Sequence, residues 1–411
     1  MLTRRSAAVG AAAAALSAAF PPPAAAAEPG RTGRLRLPAP SGPYGVGTVA
    51  LRLVDAARDD PWVPGRRREL MVSLRYPARC GRGAGAPQML PGEAAGFAAF
   101  AGYTGVPAAE VDWAATRTFA RTGAPALPGR FPLVLYSPGA GDPRSLNSTL
   151  CDDLASRGYA VLCVDHTYDA AAVEFPGGRV ERTVLPAEFA EAVPDPAHAD
   201  PARVAVLLRK VVEVRVADLR SVLDLLPDAL PRALRGVPDF GRTGVFGHSA
   251  GGFTALQAMY DDPRIAAGAN FDGVTAYVQD DPDTGYLSPV AAGGLDRPFL
   301  LAGKDGNTPS TVPCWDALWR RSRGWHRGFS LAGAGHAAFT DAETLLPQIA
   351  RRLHLPASAV TANLGTLAPH RAVRAQRAHL AAFFDRWLRG RDDHGLFDGP
   401  SPLYPEVRPF S

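Results

Sequence analysis

One serine in this chain stands in a setting suited to covalent chemistry. Gly247-His248-Ser249-Ala250-Gly251 follows the short apolar run Thr243 to Phe246 and precedes Gly252-Phe253-Thr254-Ala255-Leu256. The pattern predicts a buried strand, a tight turn and a helix, with Ser249 at the apex. Glycines on both sides let strand and helix approach closely around a strained backbone. The turn lifts the hydroxyl clear of the strand, and it sets the Ala250 N–H at a helix N-terminus, where negative charge is favoured. A serine hydroxyl is a weak nucleophile near neutral pH and needs a base to take its proton. That base is usually a histidine whose second ring nitrogen is held by a carboxylate.

His336 is the histidine after Ser249 that follows a predicted strand and sits among small residues, Gly333-Ala334-Gly335-His336-Ala337. His326 falls inside that strand, while His354, His370, His379 and His394 lie in helical or polar tail sequence. Asp272 and Asp305 each follow a predicted strand, and either satisfies the requirement for an acid. His166 and His248 read as local hydrogen-bonding residues, and Asp341 as a helix N-cap. Gly81-Arg82-Gly83-Ala84-Gly85 lacks the Gly-Lys-Ser/Thr ending of a phosphate loop. Cys80, Cys151, Cys163 and Cys314 are too widely spaced for a zinc pattern. No cofactor or metal is expected.

The elements that must carry these residues alternate. Val46 to Val54 and Glu69 to Tyr76 are predicted strands, as are Phe131 to Tyr136, Tyr159 to Val164, Ile265 to Phe271, Pro298 to Ala302 and Trp325 to Leu331. Helices are predicted over Leu146 to Arg157, Val204 to Leu226, Cys314 to Arg323 and Val373 to Leu388, the last closing the fold. On the helix Val204 to Leu226, Arg203, Arg209, Lys210, Arg215 and Arg220 are assigned to a solvated side. Residues 79–130 read as an insertion with helices over Glu93 to Ala101 and Ala108 to Arg121. Residues 167–201 read as an irregular acidic insertion able to cover a site. The order predicts an α/β fold with a mainly parallel sheet, helices on both faces and insertions over the C-terminal side of the sheet.

Of 411 residues, 46% are hydrophobic and 20% charged, which describes a globular chain with a sizeable core. The net charge of +4 is carried almost wholly by arginine, with Lys210 and Lys304 the only lysines. Basic and acidic residues are interspersed, which excludes a basic nucleic-acid face. Thr3-Arg4-Arg5-Ser6, the apolar Ala7 to Phe20 and the small residues Ala24 to Ala27 have the layout of an export signal, with the paired arginines pointing to the twin-arginine route. The expected organisation is an export segment at 1–27, a loose lead-in at 28–43 and one domain over 44–411.

Several blocks together resemble the platelet-activating factor acetylhydrolase family of lipases. They are Phe131-Pro132-Leu133-Val134-Leu135-Tyr136-Ser137-Pro138-Gly139, Asp153-Leu154-Ala155-Ser156-Arg157-Gly158-Tyr159, Val164-Asp165-His166, Gly247 to Gly252, Asn270-Phe271-Asp272-Gly273 and Gly335-His336-Ala337-Ala338-Phe339-Thr340-Asp341. The resemblance implies an α/β-hydrolase fold and an exported carboxylic ester hydrolase working through an acyl-enzyme. It implies Ser249 as nucleophile, His336 as base and Asp272 as the acid, with Asp305 in reserve, and backbone N–H groups of Ala140 and Ala250 as oxyanion donors. Where the family has His-Gly in the first loop this chain has Pro138-Gly139. The implied substrate is a small-molecule or lipid ester, met in solution or in transient contact with a lipid interface. The alternatives are a polyester or cutinase-type hydrolase and a catalytically idle hydrolase fold that binds.

Overall fold

The apolar runs pair into one large sheet in the computed structural model, which describes residues 32–79, 83–278 and 285–410. The expected export segment and Cys80 lie outside the described residues. Strands β1 (Gly45–Asp59) and β2 (Arg67–Ala78) form an antiparallel hairpin, and β3 (Arg121–Thr122) is a short addition at its edge. The parallel body is β4 (Phe131–Ser137), β5 (Ala160–Asp165), β8 (Pro238–His248), β9 (Ile265–Phe271), β10 (Phe299–Gly303) and β11 (His326–Leu331). Two short strands, β6 (Ala172–Glu174) and β7 (Val180–Arg182), pair separately. The far edge is β12 (Val407–Phe410), antiparallel to β11. Across the sheet the order is β12-β11-β10-β9-β8-β4-β5-β2-β1-β3.

That order contains the decisive feature for the site. The chain leaves β4 toward β5 on one side, then returns to place β8 on the other, so the order reverses between β4 and β8. In open α/β sheets ligands bind at the C-terminal ends of strands where the order reverses. The pairing Ser137↔Gly247 brings the loop after β4 beside the turn after β8. The central strands are buried on both faces: Leu133, Val134, Leu135, Val161, Leu162, Val245 and Phe246 have no exposed surface. They read as continuous apolar runs for that reason.

Helices cover both faces. The helix Pro201–Ala229 packs on one, contributing Val204, Val212, Val216, Leu219, Val222 and Leu226 to the core it shares with β2 and β5. The helices Ser148–Ser156 and Pro369–Arg389 pack on the other, where Leu150, Leu154, Leu380, Phe383 and Phe384 meet Phe246 and Phe271. No helix among the described residues is long and apolar enough to cross a membrane.

Several expectations are corrected. Arg215 is not on the solvated side of its helix; its side chain is 1% exposed and ion-paired with Asp169. The helix expected over Ala108 to Arg121 does not form. Two short 3-10 turns, Ala108–Glu110 and Trp113–Ala115, stand there instead. The Asp112 carboxylate takes the Ala115 N–H at 3.1 Å, a local bond that competes with helix, and Trp113 donates its indole N–H to Ala108 O at 2.9 Å. Residues 167–201 are not irregular throughout, since they hold the β6–β7 hairpin and the helix Leu185–Ala192. The chain does not close on a helix, because β12 follows the helix Pro369–Arg389. Residues 32–44 contain no helix or strand, and they insert Leu35 and Leu37 into a cluster with Phe97, Trp113 and Leu345. Cys151, Cys163 and Cys314 are free thiols and buried.

Candidate active site

Ser249 directly follows β8 and precedes the helix Ala250–Asp261, with φ of 55° and ψ of −124°. A positive φ is uncommon for a non-glycine residue, and the surroundings enforce it. The Ser249 N–H donates to Phe271 O at 2.8 Å, tying the turn to the end of β9. The neighbouring glycines are required by space as well as conformation. A Cβ on Gly247 would lie 2.1 Å from Gly251 O, and one on Gly251 would lie 2.0 Å from Ser137 O. Ala250 opens the helix, where the first N–H groups have no partner within it.

Asp272 follows β9 directly, at φ of 55°, a region Asp tolerates better than most residues. Its Oδ2 lies 2.5 Å from His336 Nδ1. Its Oδ1 accepts the Lys304 N–H at 2.9 Å and the Asn307 Nδ2–H at 2.7 Å. Burial pushes this carboxyl up, but the His336 hydrogen bond, the charge of His336 and the Lys304 contacts outweigh it, holding Asp272 below the usual carboxylate range. The acid is 1% exposed and the histidine 45%, so the pair runs from the interior to an open imidazole. His336 begins a 3-10 turn, His336–Phe339, reached from β11 through Gly333 at φ of 76°.

Ser249 and His336 line one cavity of about 590 Å³. Gly139, Ala140 and Asp142 from the loop after β4 form one side, with Lys304 nearby. Phe97, Phe100 and Tyr103 from the 79–130 insertion form a second, and Thr361 to Asn363 with Gly365 form a third. The last two walls are fastened to each other: Thr104 N–H donates to Asn363 Oδ1 at 3.0 Å, and Asn363 Nδ2–H returns to Thr104 O at 3.0 Å.

Of the residues singled out in the sequence, Ser249, Asp272, His336, Ala140 and Ala250 are thus brought to one place. Asp305 is not with them; it is exposed and its nearest cation is Arg408, at 3.5 Å. His248 is buried under the histidine loop, its Nε2–H donating to His336 O at 3.1 Å and its ring centroid 4.5 Å from that of His336. Burial, then the charge of His336, depresses its pKa. Asp341 caps a helix other than its own: its carboxylate accepts the Ser148 and Thr149 N–H groups at 2.8 and 3.0 Å, at the start of Ser148–Ser156. Asn307 escaped the sequence reading because no motif marks an amide two residues past a turn.

His166 forms a second array of the same composition. Its Nε2 meets Ser137 Oγ at 2.9 Å and its Nδ1 meets Asp218 Oδ2 at 3.0 Å. Asp218 is in turn held by Arg68 Nε at 2.9 Å and Arg68 Nη2 at 2.6 Å. Ser137, His166 and Asp218 have no exposed surface, so this array is sealed in the core. It ties the end of β4 to the end of β5 and to the helix Pro201–Ala229.

The comparisons with known proteins follow the same lines. A solved structure, the ferulic acid esterase from Streptomyces cinnamoneus, superposes with a TM-score of 0.72 at 38% identity, over 92% of this chain and 99% of that one. A family model described as platelet-activating factor acetylhydrolase, isoform II, matches residues 30–179. The chain is similar to the platelet-activating factor acetylhydrolase family over that N-terminal stretch. Its relatives include a probable 1-alkyl-2-acetylglycerophosphocholine esterase of Arthroderma benhamiae, 28% identical over 67% of this chain and 65% of that protein. A platelet-activating factor acetylhydrolase of Bos taurus is 24% identical over 66% of this chain and 63% of that protein. The chain therefore matches just under two thirds of the length of these curated relatives. The fold is that of the α/β-hydrolases.

Proposed function

We propose that this protein is a carboxylic ester hydrolase with Ser249 as nucleophile, His336 as general base and acid, and Asp272 as the orienting carboxylate. The observation that carries the reading is the 2.5 Å contact between His336 Nδ1 and Asp272 Oδ2, beside a cavity that Ser249 also lines. A carboxylate only accepts, so Nδ1 holds the hydrogen and Nε2 is left with its lone pair. Nε2 takes the Ser249 proton as Oγ attacks the acyl carbonyl. The Ala140 and Ala250 N–H groups receive the oxyanion. Collapse expels the alcohol, protonated by His336, and water then hydrolyses the acyl-enzyme with the roles reversed.

The cover over the cavity supports a compact acyl group over a polymer chain. Phe97, Phe100 and Tyr103 favour an aromatic acyl group as well as a short aliphatic one. Both fit the names of the relatives, one a ferulic acid esterase and one an acetylglycerophosphocholine esterase. Export belongs to the same proposal, on the strength of residues 1–27 alone, and would appear as a mature N-terminus near Glu28 in culture medium.

The test is hydrolysis of p-nitrophenyl acetate and methyl ferulate by the wild type, Ser249→Ala, Asp272→Asn and Asp305→Asn, with a fluorophosphonate and peptide mass mapping. A single adduct on Ser249, kcat reduced by roughly 10⁴-fold in Asp272→Asn and unchanged in Asp305→Asn, is the expected result. A folded wild type with no adduct and no turnover would favour the idle, binding alternative.

A further inference from the structure

The loop after β4 carries Ala140, and within it the Asp142 N–H donates to Gly139 O at 3.2 Å, closing a turn around Ala140 and Gly141. Further support comes from outside the loop, from Arg215 on the helix Pro201–Ala229, whose side chain is 1% exposed. Arg215 Nη1–H donates to Pro138 O at 2.7 Å, and Nη2–H donates to Gly139 O at 2.9 Å. Its Nε–H donates to Asp169 Oδ2 at 2.7 Å, and the other oxygen of Asp169 accepts the Gly141 N–H at 3.1 Å. One buried ion pair therefore fixes three consecutive peptide groups.

The consequence follows from the planarity of the peptide. In a trans peptide the C=O and the next N–H point in opposite directions, and none of the described peptides is cis. With the Gly139 carbonyl held against Arg215, the Ala140 N–H is turned away from the helix. Ala140 lines the cavity, and its N–H donates to no group among the described residues. Without Arg215 the turn bond from the Asp142 N–H to Gly139 O would remain, but the Pro138 carbonyl would lose its partner and the two glycines would let the peptides before Ala140 rotate more readily. Holding two carbonyls and a carboxylate at once requires the planar fork of an arginine; an ammonium is a point donor and cannot reproduce it.

We propose that Arg215, locked by Asp169, is the positioning residue of the oxyanion hole: by gripping the Pro138 and Gly139 carbonyls it aims the Ala140 N–H at the developing oxyanion. The proposal rests on the ester-hydrolase reading above, and it assigns Arg215 no contact with substrate. Arg215→Ala would strand the Asp169 carboxylate in the core and endanger folding. The informative variants are Arg215→Lys and the near-isosteric Asp169→Asn.

The experiment measures kcat and KM for p-nitrophenyl acetate, the thermal midpoint, and the rate of Ser249 phosphonylation by a fluorophosphonate, whose phosphoryl oxygen uses the same hole. The expected result is a fall in kcat of roughly 10- to 100-fold, less than deletion of a donor outright. KM stays within about twofold, phosphonylation slows in step with kcat, and the thermal midpoint of at least one variant stays near the wild type. Variants that fold and keep the wild-type kcat and phosphonylation rate overturn the proposal, as does activity lost only in proportion to the folded fraction. A wild type that hydrolyses the ester without labelling Ser249 instead overturns the reading beneath it, and does so before any variant is made.

Discussion

At the scale of single residues, the site separates groups by burial. Asp272 is enclosed and satisfied by three donors, from His336, Lys304 and Asn307. Glu343 is the opposite case. It is 1% exposed, neither carboxylate oxygen has a hydrogen-bond partner, and burial alone pushes its pKa up to about 8. Because the folded value lies above the unfolded one, the folded state holds the extra proton between them. The stability linked to Glu343 is therefore complete below the unfolded carboxylate range and is lost as pH rises toward about 8. The limiting slope is about 1.4 kcal/mol per pH unit. Glu343→Met should melt above the wild type at about pH 9, with the advantage shrinking toward about pH 5, as followed by thermal denaturation across that range.

At the scale of elements, the cavity is roofed by segments far apart in sequence. The helix Pro91–Phe100 and the turns after it share an apolar cluster with the helix Ala342–Arg352, through Phe97, Trp113, Leu345 and Ile349. Over that cluster the reciprocal Asn363–Thr104 bonds close the roof at an exposed edge. Asn363→Ala removes both bonds together with the Asn363 Nδ2–H bond to Ala359 O at 2.7 Å, at a cost of about 1.5–4.5 kcal/mol at most from three neutral hydrogen bonds. It should raise kcat/KM for p-nitrophenyl esters of longer acids relative to the acetate, read from a chain-length series. A flat series in a folded variant would show that the roof does not limit acyl size. The helix Pro201–Ala229 has a different task. Arg215 stands four residues after Val211 and four before Leu219, and Asp218 four after Val214 and four before Val222. Both lie in apolar rows, which is where buried charge is expected to be paired and structural. That signal was legible in the sequence, and assigning all the arginines of the helix to solvent passed over it.

At the scale of the molecule, the parallel strands and the elbow were legible because a strand buried on both faces is an unbroken apolar run. Ile265–Phe271 has the bounds the sequence suggests, and β4, β5, β10 and β11 differ by one residue at one or both ends. Within 79–130 the helix expected over Glu93 to Ala101 forms as Pro91–Phe100, while the stretch after it was not legible, because its order comes from packing: Trp113 is fixed by Phe97 and Ala108, not by a local period. The choice between Asp272 and Asp305 was likewise beyond residue chemistry. It turns on which strand end faces His336, a property of the sheet order β11-β10-β9-β8.

The sealed Ser137–His166–Asp218 array has a consequence of its own. A hydroxyl is activated there only while the fold assembles the imidazole and carboxylate around it, and that same fold admits no reagent. Denaturant opens the way in and dismantles the activation in one step. Activation and access at Ser137 are therefore mutually exclusive states of one chain. Titration with fluorophosphonate should plateau at one adduct per molecule in buffer and never rise above one at any concentration of urea. A second adduct, mapped to Ser137 at intermediate urea, would reveal a partly open form in which the array survives while its cover is gone.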